Sequence, residues 1–357
     1  MSTINSLNRL RRKIDKIDSG IVKLLNDRNE LSHEIGNIKK STSTSVYSPS
    51  REQEVLAKVK KANKGPLRNE ALEAIYREIM SSNIQTQKEI KVAYLGPAAT
   101  FSHQAAIKKF ASLTKYIPCE SIKDVFLEVE KDSADFGVVP IENSIEGAIS
   151  YTLDMFVDSD LKICSQILLN ISHNLLSKYP KNKIKRIYSN PQVFGQCRRW
   201  IENNLTQVEL IDVSSTTRAA QIASKEKNSA CIGSLLAARV YGLKIVAKSV
   251  EDSPHNITRF LVIGKTQALP TINDKTSIMF SIKDSVGALH DMLVPFKKYK
   301  INLTKIESRP SKRKTWDYYF FVDLNGHIYE KKVRTALNEL EDKCKFLKVL
   351  GSYPAGD

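Results

Sequence analysis

The chain has 357 residues, of which 41% are hydrophobic and 26% are charged, with 14 Gly and 12 Pro, so its composition is that of a folded protein with two or three domains. Extended disorder, collagen-like structure and an apolar run of the roughly 20 residues that span a membrane are excluded. The formal net charge of +16 is spread evenly along the chain, which argues against a nucleic-acid-binding domain and favours anionic small molecules as ligands.

The N-terminal stretch MSTINSLNRLRRKID has no apolar segment of the kind that directs secretion, so we expect a cytoplasmic protein with no membrane partner. The sequence has no Cys-x-x-Cys pair, glycine-rich nucleotide motif, His-Glu-x-x-His or Gly-x-Ser-x-Gly. We therefore expect no metal and no cofactor. Buried free thiols are the better interpretation of the five cysteines, which are Cys119, Cys164, Cys197, Cys231 and Cys344.

Residues 1–90 contain almost no strand signals and begin with a heptad pattern that predicts one long helix. At 1.5 Å per residue this helix would reach about 50 Å, far more than a domain of this size can cover, so it needs a partner such as a second copy. The apolar positions recur at spacings of three and four residues: Leu7, Leu10, Ile14, Ile17, Ile21, Leu24, Leu31, Ile35 and Ile38.

Two shorter helices follow the loop STSTSVYSPS. Ser48 and Pro49 suit an N-cap and a first helical position, which predicts a second helix over 51–62. After the break at 64–66, apolar residues at helical spacing between positions 72 and 84 predict a third helix.

A row of cations interrupts the heptad pattern. Arg28 occupies a position where Leu or Ile is expected, and Lys39 follows 11 residues later, within about 20° on the helical wheel. A buried ion pair that fixes the register and a site for an anion are both compatible with this pattern. Arg11 lies roughly 25 Å from Arg28 along the helix, so it could serve the same pocket only from a second subunit. Asn83 and Gln87 form a polar pair at (i, i+4) on the third helix.

The strings RLRRKIDKID, NDRNELSHEIGNIKK, YSPSREQEVL and REIMSSNIQTQ resemble the all-helical chorismate mutases, which are intertwined dimers. In that family an Asp is common where Ser48 stands, and a Ser or Cys where Asn83 stands. The pericyclic rearrangement of chorismate to prephenate needs cations that clamp two carboxylates. Lys39 and Gln87 are the expected catalytic groups at the ether oxygen. The resemblance implies that chorismate is bound by Arg11 of the partner subunit and by Arg28, Lys39, Ser48, Arg51, Glu52, Asn83 and Gln87.

From residue 91 to residue 267 the pattern becomes α/β. Short apolar runs alternate with helical stretches: VAYLG, FGVVPI, ICSQILL, RIYSN, VELIDV, ACIGS, KIVAKSV and RFLVIG. Polar strings stand at the ends of these predicted strands, where α/β sheets place their sites, although turn and cap chemistry also favours such residues there. These candidates are Thr100, Asn143, Ser144, Ser189, Gln192, Thr216, Asn256, Thr258 and Arg259.

The order and spacing of these strings resemble the prephenate dehydratases, most clearly at Thr258, Arg259 and Phe260. That family has two α/β lobes, as in periplasmic binding proteins, with prephenate in the cleft. The resemblance implies that the nine candidates bind prephenate, that Thr258 hydrogen-bonds the departing ring hydroxyl, and that Arg259 orients a carboxylate or bridges the lobes. His103 and His255 are weaker candidates for the acid. Ala99 and Asn190 depart from the family pattern, which usually has Gly and His at these positions.

A polar stretch at 267–274 is a plausible linker. The remainder predicts strand, helix, strand, strand, helix and strand, which is the ferredoxin-like order. It resembles the amino-acid-binding ACT domain that follows prephenate dehydratases and binds phenylalanine at a subunit interface. The residues implied in phenylalanine binding are Gly287, Ala288, Leu289, Asn302, Leu303, Glu307, Ser308 and Arg309.

These observations predict a multidomain protein: an all-α dimeric chorismate mutase module at 1–90, a two-lobed α/β prephenate dehydratase domain at 91–267 and an α+β ferredoxin-like ACT domain at 275–352. We expect a bifunctional enzyme of phenylalanine biosynthesis that is inhibited by L-phenylalanine and assembles as a homodimer or a higher homo-oligomer. One alternative keeps the fold but has arogenate as the substrate of the dehydratase. Another is a solute-binding or sensory protein.

Overall fold

The computed structural model describes residues 2–41, 47–205, 207–282, 285–311 and 318–355. The chain divides into two compact units, one formed by residues 1–90 with 110–115 and the other by residues 91–109 with 116–357. Residues 42–46, in the loop before the second helix, and residues 312–317 lie outside the described residues. Within the described ranges, no helix combines the length and apolarity needed to cross a lipid bilayer.

The first unit contains three helices, α1 (Ser2–Ser41), α2 (Pro49–Ala62) and α3 (Asn69–Gln85). The heptad pattern does form one continuous helix of 40 residues. Ser48 caps α2 as expected, because its side chain accepts a hydrogen bond from the backbone N–H of Arg51. The apolar seam of α1 is open in the single chain, with Ile17 62% exposed and Leu24 68% exposed. A face of this kind exceeds what monomeric soluble proteins usually expose.

Strands and helices alternate in the next part of the chain. In chain order they are β1 (Lys91–Leu95), α4 (Phe101–Phe110), β2 (Lys115–Cys119), α5 (Ile122–Glu130), β3 (Phe136–Asn143), β4 (Gly147–Ala148), α6 (Ser150–Asp158), β5 (Lys162–Asn170), β6 (Asn174–Ser177), β7 (Arg186–Ser189), α7 (Pro191–Gln196), α8 (Arg198–Asn204), β8 (Glu209–Asp212), α9 (Thr216–Ala223), β9 (Ser229–Gly233), α10 (Leu235–Tyr241), β10 (Lys244–Ala247) and β11 (Ile257–Gly264).

These strands form two sheets and hence two lobes. The first sheet has the order β2-β1-β3-β11-β5, with β4 paired to β3, and the second has the order β10-β6-β9-β7-β8. The chain leaves the first sheet after β5 and returns to it as β11, which is inserted antiparallel between β3 and β5. Two crossings therefore join the lobes, as in the predicted two-lobed fold. The sequence did not predict β2, which contains Pro118, or β6, which has only four residues.

The C-terminal domain has the predicted ferredoxin-like order. Its elements are β12 (Asp274–Ser281), α11 (Ala288–Lys298), β13 (Leu303–Pro310), β14 (Tyr318–Asn325), α12 (Lys331–Glu341) and β15 (Phe346–Pro354). They form one antiparallel sheet in the order β13-β14-β12-β15. The two helices cover one face of this sheet around Phe280, Phe296 and Leu337.

The other face of this sheet packs on the first lobe. Met279 and Tyr353 belong to the same buried cluster as Ile163 and Leu261 of the first lobe. At Gly351 the backbone of β15 comes so close to the backbone of Ile163 that a Cβ would collide with it. The first lobe and the C-terminal sheet thus share one core. Four of the five cysteines are buried free thiols, as predicted, whereas Cys344 is half-buried.

Candidate functional site

One face of α1 is directed toward α3 and carries the cationic row. Gln87, just after α3, donates from Nε2 to the carbonyl oxygen of Ser32 at 2.8 Å and to its hydroxyl at 3.1 Å. The same side chain lies on Gly36, where a Cβ would overlap it. Since Arg28, Ser32, Gly36 and Lys39 are separated by three or four residues, they share this face.

Arg28 is half-buried and contacts Asn83 on α3. Asn83 is buried, and its surroundings fix the direction of its amide. Its oxygen accepts from Nη1 of Arg28, while its nitrogen donates to Oδ1 of Asn29 at 3.1 Å and to the carbonyl of Ile79 at 3.2 Å. The guanidinium is therefore positioned by a neutral amide, which holds the group without neutralising its charge.

A second cationic centre lies where α1 meets α2. Lys39 is half-buried, and its pKa is lowered from the ordinary value of 10.5, chiefly by burial and further by the positive charge of Arg51. Arg51 is mostly exposed and pairs with Glu54 at 2.6 Å. Glu52 points inward and accepts from the hydroxyl of Tyr47 at 2.6 Å. Two like charges held this close favour an anionic ligand.

Arg11 is not brought to these cations. It is exposed on α1, and its distance from Arg28 is roughly 25 Å at 1.5 Å per residue. Within one chain the candidate mutase site therefore comprises Arg28, Lys39, Ser48, Arg51, Glu52, Asn83 and Gln87.

The second candidate site is centred on Thr258, where β11 meets β3. Thr258 is buried, and its hydroxyl oxygen accepts from Nδ2 of Asn143 at 2.9 Å. The same nitrogen donates to Oδ1 of Asn256 at 2.8 Å. The Oδ1 atom of Asn143 accepts from the backbone N–H groups of Ile145 and Glu146, so the turn after β3 fixes the amide. Thr258 therefore keeps its hydroxyl proton available for another acceptor.

The network continues into the second lobe. Asn256 donates from Nδ2 to Oε1 of Gln196 at 3.3 Å, and Gln196 donates from Nε2 to Glu146 at 2.9 Å. His173 contacts the same Oε1 through Nε2 at 2.9 Å. Burial lowers the pKa of His173, an effect that its hydrogen bond to Gln196 and the charge of Glu251 oppose. The imidazole is thus neutral and donates to Gln196.

Sequence reasoning did not identify Gln196, His173 or Glu146. Gln196 stands four residues after Gln192 on the helix capped by Asn190, and this spacing was the one available signal. Gln192 itself is exposed on α7. No local pattern could reveal that α7 approaches the end of β3, because the contact depends on how the two lobes pack.

Several predicted prephenate-binding residues have structural hydrogen bonds. Thr100 donates to the carbonyl of Leu95 at 3.0 Å and accepts from the N–H of His103. Ser144 donates to the carbonyl of His255 and accepts from the N–H of Ile257, which closes the turn beside Thr258. The hydroxyl of Ser189 is fully buried and donates to Ile232. Thr216 is half-buried at the first position of α9, directly after its cap.

Arg259 points away from Thr258, because successive side chains of a strand lie on opposite faces. Its guanidinium lies against the C-terminal sheet, where Nη1 is 2.5 Å from Oδ2 of Asp323 and Nη2 is 2.9 Å from the hydroxyl of Tyr353. The carboxylate of Glu142 lies 3.6 Å from Nη1. Arg259 thus bridges the first lobe to the C-terminal domain, and the expectation that it bridges the two lobes is wrong.

Of the two histidine candidates for a general acid, His103 has the better-defined surroundings. His103 stacks on Tyr94, its Nδ1 accepts from the N–H of Ala99 at 3.1 Å, and burial lowers its pKa. It is therefore neutral and has no proton on the nitrogen that faces the loop. Ala99 has a φ of 72°, in the left-handed region that favours glycine, which explains why Gly is usual there.

The predicted phenylalanine-binding residues form two groups. Gly287, with a φ of 80°, precedes α11, which begins with Ala288 and the partly exposed Leu289. On β13 the side chains alternate: Glu307 and Arg309 are half-buried, whereas Ser308 is exposed. Nη1 of Arg309 donates to the hydroxyl of Ser150 at 2.7 Å, at the start of α6. Asn302 and Leu303 stand where β13 begins, and the carbonyl of Asn302 accepts from Asn325.

Among the described residues, no group of three or more His, Cys, Asp or Glu side chains could hold a metal ion. The two candidate sites consist mainly of hydroxyls, amides and cations, with the carboxylate of Glu52 in the first. Such groups can bind carboxylates and stabilise developing negative charge through preorganised hydrogen bonds.

Three family models match successive parts of the chain. The model of chorismate mutase type II matches residues 10–88, the model of prephenate dehydratase matches residues 92–268, and the model of the ACT domain matches residues 276–342. The three matches follow the order of the all-α, two-lobed and ferredoxin-like parts of the fold.

Individual relatives match the same arrangement. A bifunctional chorismate mutase/prephenate dehydratase of Aquifex aeolicus is 49% identical over 356 residues, which is 98% of this chain and 98% of that protein. A protein of the same name from Stutzerimonas stutzeri is 42% identical over 99% of both chains. A crystal structure of a prephenate dehydratase from Arthrobacter aurescens in complex with L-Phe superposes with a TM-score of 0.69 at 31% identity, covering 74% of this chain and 90% of that one.

Proposed function

This chain belongs to the family of bifunctional chorismate mutase/prephenate dehydratases, and from that premise we propose which of its residues carry out each reaction. The protein is an enzyme of phenylalanine biosynthesis with an ACT regulatory domain. It rearranges chorismate to prephenate and converts prephenate to phenylpyruvate, and the alternative with arogenate is not favoured. The division into 1–90, 91–267 and 275–352 is the working domain assignment.

In the mutase reaction, Arg28 and Arg51 bind the two carboxylates of chorismate and hold it in the folded conformer. Asn83 positions Arg28, because its amide oxygen accepts a hydrogen bond from the guanidinium. Lys39 stabilises the negative charge that grows on the ether oxygen as the C–O bond breaks. Gln87 is assigned to the same oxygen when chorismate is bound, which requires that its amide give up a hydrogen bond to Ser32. Ser48 caps α2 and fixes Arg51, and Glu52 meets the substrate from the same helix turn.

In the dehydratase reaction, the hydroxyl of Thr258 donates to the departing ring hydroxyl while CO₂ is lost and the ring becomes aromatic. The observation that supports this role most directly is the hydrogen bond from Asn143 to the oxygen of Thr258, which leaves its proton free to donate outward. Asn256 and Gln196 continue this hydrogen-bond network from the first lobe to the second. We assign Thr216, Gln192 and Ser144 to the edge of the prephenate site, Thr100 to the loop beside it and Ser189 to the end of β7.

A homodimer completes the mutase site in this proposal. The exposed apolar seam of α1 supports this dimer. Each Å² of apolar surface that the dimer removes from water would stabilise it by roughly 25 cal/mol. Arg11 of the partner subunit then reaches the cations of this chain. Residues 1–90, expressed alone, should sediment as a dimer and convert chorismate, and a folded, active monomer would contradict both the dimer and the role of Arg11.

The activity is tested by supplying each substrate separately to the whole protein. We expect the absorbance of chorismate to fall, phenylpyruvate to form from prephenate, and arogenate to be converted much more slowly. L-Phenylalanine should lower only the formation of phenylpyruvate. Binding of prephenate without turnover would instead favour a solute-binding or sensory protein, and faster turnover of arogenate would change the substrate.

A further inference from the structure

The C-terminal sheet reaches the strand that carries Thr258 through a closed ring of hydrogen bonds. Arg259 donates to Asp323 on β14 at 2.5 Å and to the hydroxyl of Tyr353 on β15 at 2.9 Å. Ser277 of β12 lies 2.6 Å from the hydroxyl of Tyr353 and donates to the other oxygen of Asp323 at 2.5 Å. The side chains of Arg259 and Asp323 are only 11% and 10% exposed, so this ion pair is largely removed from water.

The ring lies beside an irregularity in the pairing of β11 with β3. The register between the two strands shifts between Arg259 and Phe260, directly after the pair Arg259 and Glu142, and the extra residue is Ile141 of β3. A bulge redirects the side chains beside it, so the end of β11 that carries Thr258 and Arg259 lies next to a point where the ladder with β3 changes register. A buried guanidinium held by a carboxylate can fix this end of the strand, and removing one partner of such a pair is strongly unfavourable.

The neighbouring strand has a similar contact. Glu142 precedes Asn143 on β3 and points to the same side as Arg259, where its carboxylate lies 3.0 Å from Nζ of Lys305 on β13. Thr258 and Asn143 hydrogen-bond to each other at the reacting end of the sheet. Arg259 follows Thr258 and Glu142 precedes Asn143, and both of these residues bond to the C-terminal domain.

We propose that Asp323 of the C-terminal domain is a positioning residue for the dehydratase reaction: it holds Arg259 and thereby fixes the end of β11 that presents the Thr258 hydroxyl. The proposal rests on the dehydratase function argued above. It makes the C-terminal sheet a support of the active site in the absence of any effector. It also gives Arg259 a role that requires no contact with prephenate.

The test is the full-length Asp323→Asn protein, which keeps the shape of the side chain but loses its charge. A misplaced hydroxyl lowers the rate of the chemical step, so kcat for prephenate should fall by roughly 10–100-fold while KM changes less than about twofold. The turnover of chorismate serves as the internal measure of intact protein and should be unchanged.

A matched control weakens the contact between the same two domains at a different place. Lys348 of β15 donates to the carbonyls of Phe156 and Ser159 in the first lobe, away from β11. The Lys348→Met protein should keep kcat within about twofold of the wild type. An equal loss in both variants would attribute the effect to general loosening and overturn the proposal.

Coupling to Thr258 provides the second readout. In a Thr258→Val background the hydroxyl is already absent, so adding Asp323→Asn should cost little more, whereas additive losses would overturn the proposal. If Asp323→Asn fails to fold, Tyr353→Phe removes the hydroxyl that bonds to Arg259 and Ser277 in the same ring, and an unchanged kcat there would overturn the proposal. A wild-type protein that forms no phenylpyruvate would refute the proposed function itself, whereas an active wild type with an equally active Asp323→Asn protein would refute only this inference.

Discussion

The proposed dehydratase mechanism depends most on one residue, Thr258. A threonine is a weak acid in water, so its proposed role depends on preorganisation: Asn143 occupies its lone pair and directs its proton outward. His103 does not offer a better acid, because burial lowers its pKa and its Nδ1 accepts a hydrogen bond from Ala99. The proposed chemistry therefore rests on preorganised hydrogen bonding and not on a shifted carboxyl pKa.

Replacing Thr258 by Val removes the hydroxyl at nearly constant volume. We expect the rate of phenylpyruvate formation to fall by roughly 10²–10³, the usual effect of losing one transition-state donor, with little change in folding. Thr258→Ser keeps the hydroxyl and should retain much more activity. Mutase activity should be unaffected in both proteins. Equal rates for the Val and Ser variants would exclude a chemical role for the hydroxyl.

Lys39 gives the mutase reaction a distinct pH dependence. Burial and the charge of Arg51 lower its pKa, so it loses its proton at a lower pH than an exposed lysine. Because the protonated form binds the anion, kcat/KM for chorismate should decline on the alkaline side before the ordinary lysine value of 10.5 is reached. Lys39→Arg keeps its charge and should move this decline to higher pH. An identical alkaline limb in both proteins would assign the titration to another group.

At the scale of elements, the packing of α1 on α3 depends on a glycine. Gly36 leaves room for the side chain of Gln87, whereas a Cβ there would overlap its amide. Gly36→Ala should therefore displace Gln87 and slow chorismate turnover by at least about tenfold, less than the roughly 10²–10³ expected for deleting a transition-state donor, because the amide is moved and not removed. Dehydratase activity should not change.

Gly20 supplies the matched control on the same helix, since no described atom lies within 4 Å of the position its Cβ would take. Gly20→Ala should preserve chorismate turnover and raise the stability of α1 by up to about 1 kcal/mol through helix propensity. Thermal unfolding and initial rates of both variants separate the two effects. Equal activity of the two proteins would contradict the packing argument.

Most elements could be predicted because their patterns are local. The heptad spacing identified α1, the cap at Ser48 identified the start of α2, and the order of elements identified the C-terminal sheet. The direction of Arg259 was also available from strand periodicity, since its neighbour Thr258 must face the other way. Gln196 and His173 were missed because their shared hydrogen bond at the cleft arises from tertiary packing.

At the scale of the whole molecule, the C-terminal domain contacts the dehydratase domain through the strand expected to bind phenylalanine. Lys305 and Arg309 of β13 face the first lobe and bond to Glu142 and Ser150, on either side of the loop that follows Asn143. A ligand changes an equilibrium only through its different affinities for two states. Phenylalanine that withdraws Arg309 from Ser150 and Asp154 would release the start of α6, which follows the turn after Asn143, and thus alter the dehydratase site.

This argument predicts that Arg309→Ala and Glu307→Ala bind phenylalanine at least about tenfold more weakly, since each removes a charged partner of the zwitterion. Calorimetry on the full-length proteins measures the affinity, and phenylpyruvate formation measures inhibition. Ser150→Ala is the informative companion, because it leaves the ligand's own contacts in place. Its affinity for phenylalanine should rise slightly, since it lacks the hydrogen bond from Arg309 to Ser150 that competes with the ligand. Undiminished affinity in both charge variants would place the regulatory site elsewhere, and weaker binding by Ser150→Ala would show that the bond to α6 belongs to the inhibited state.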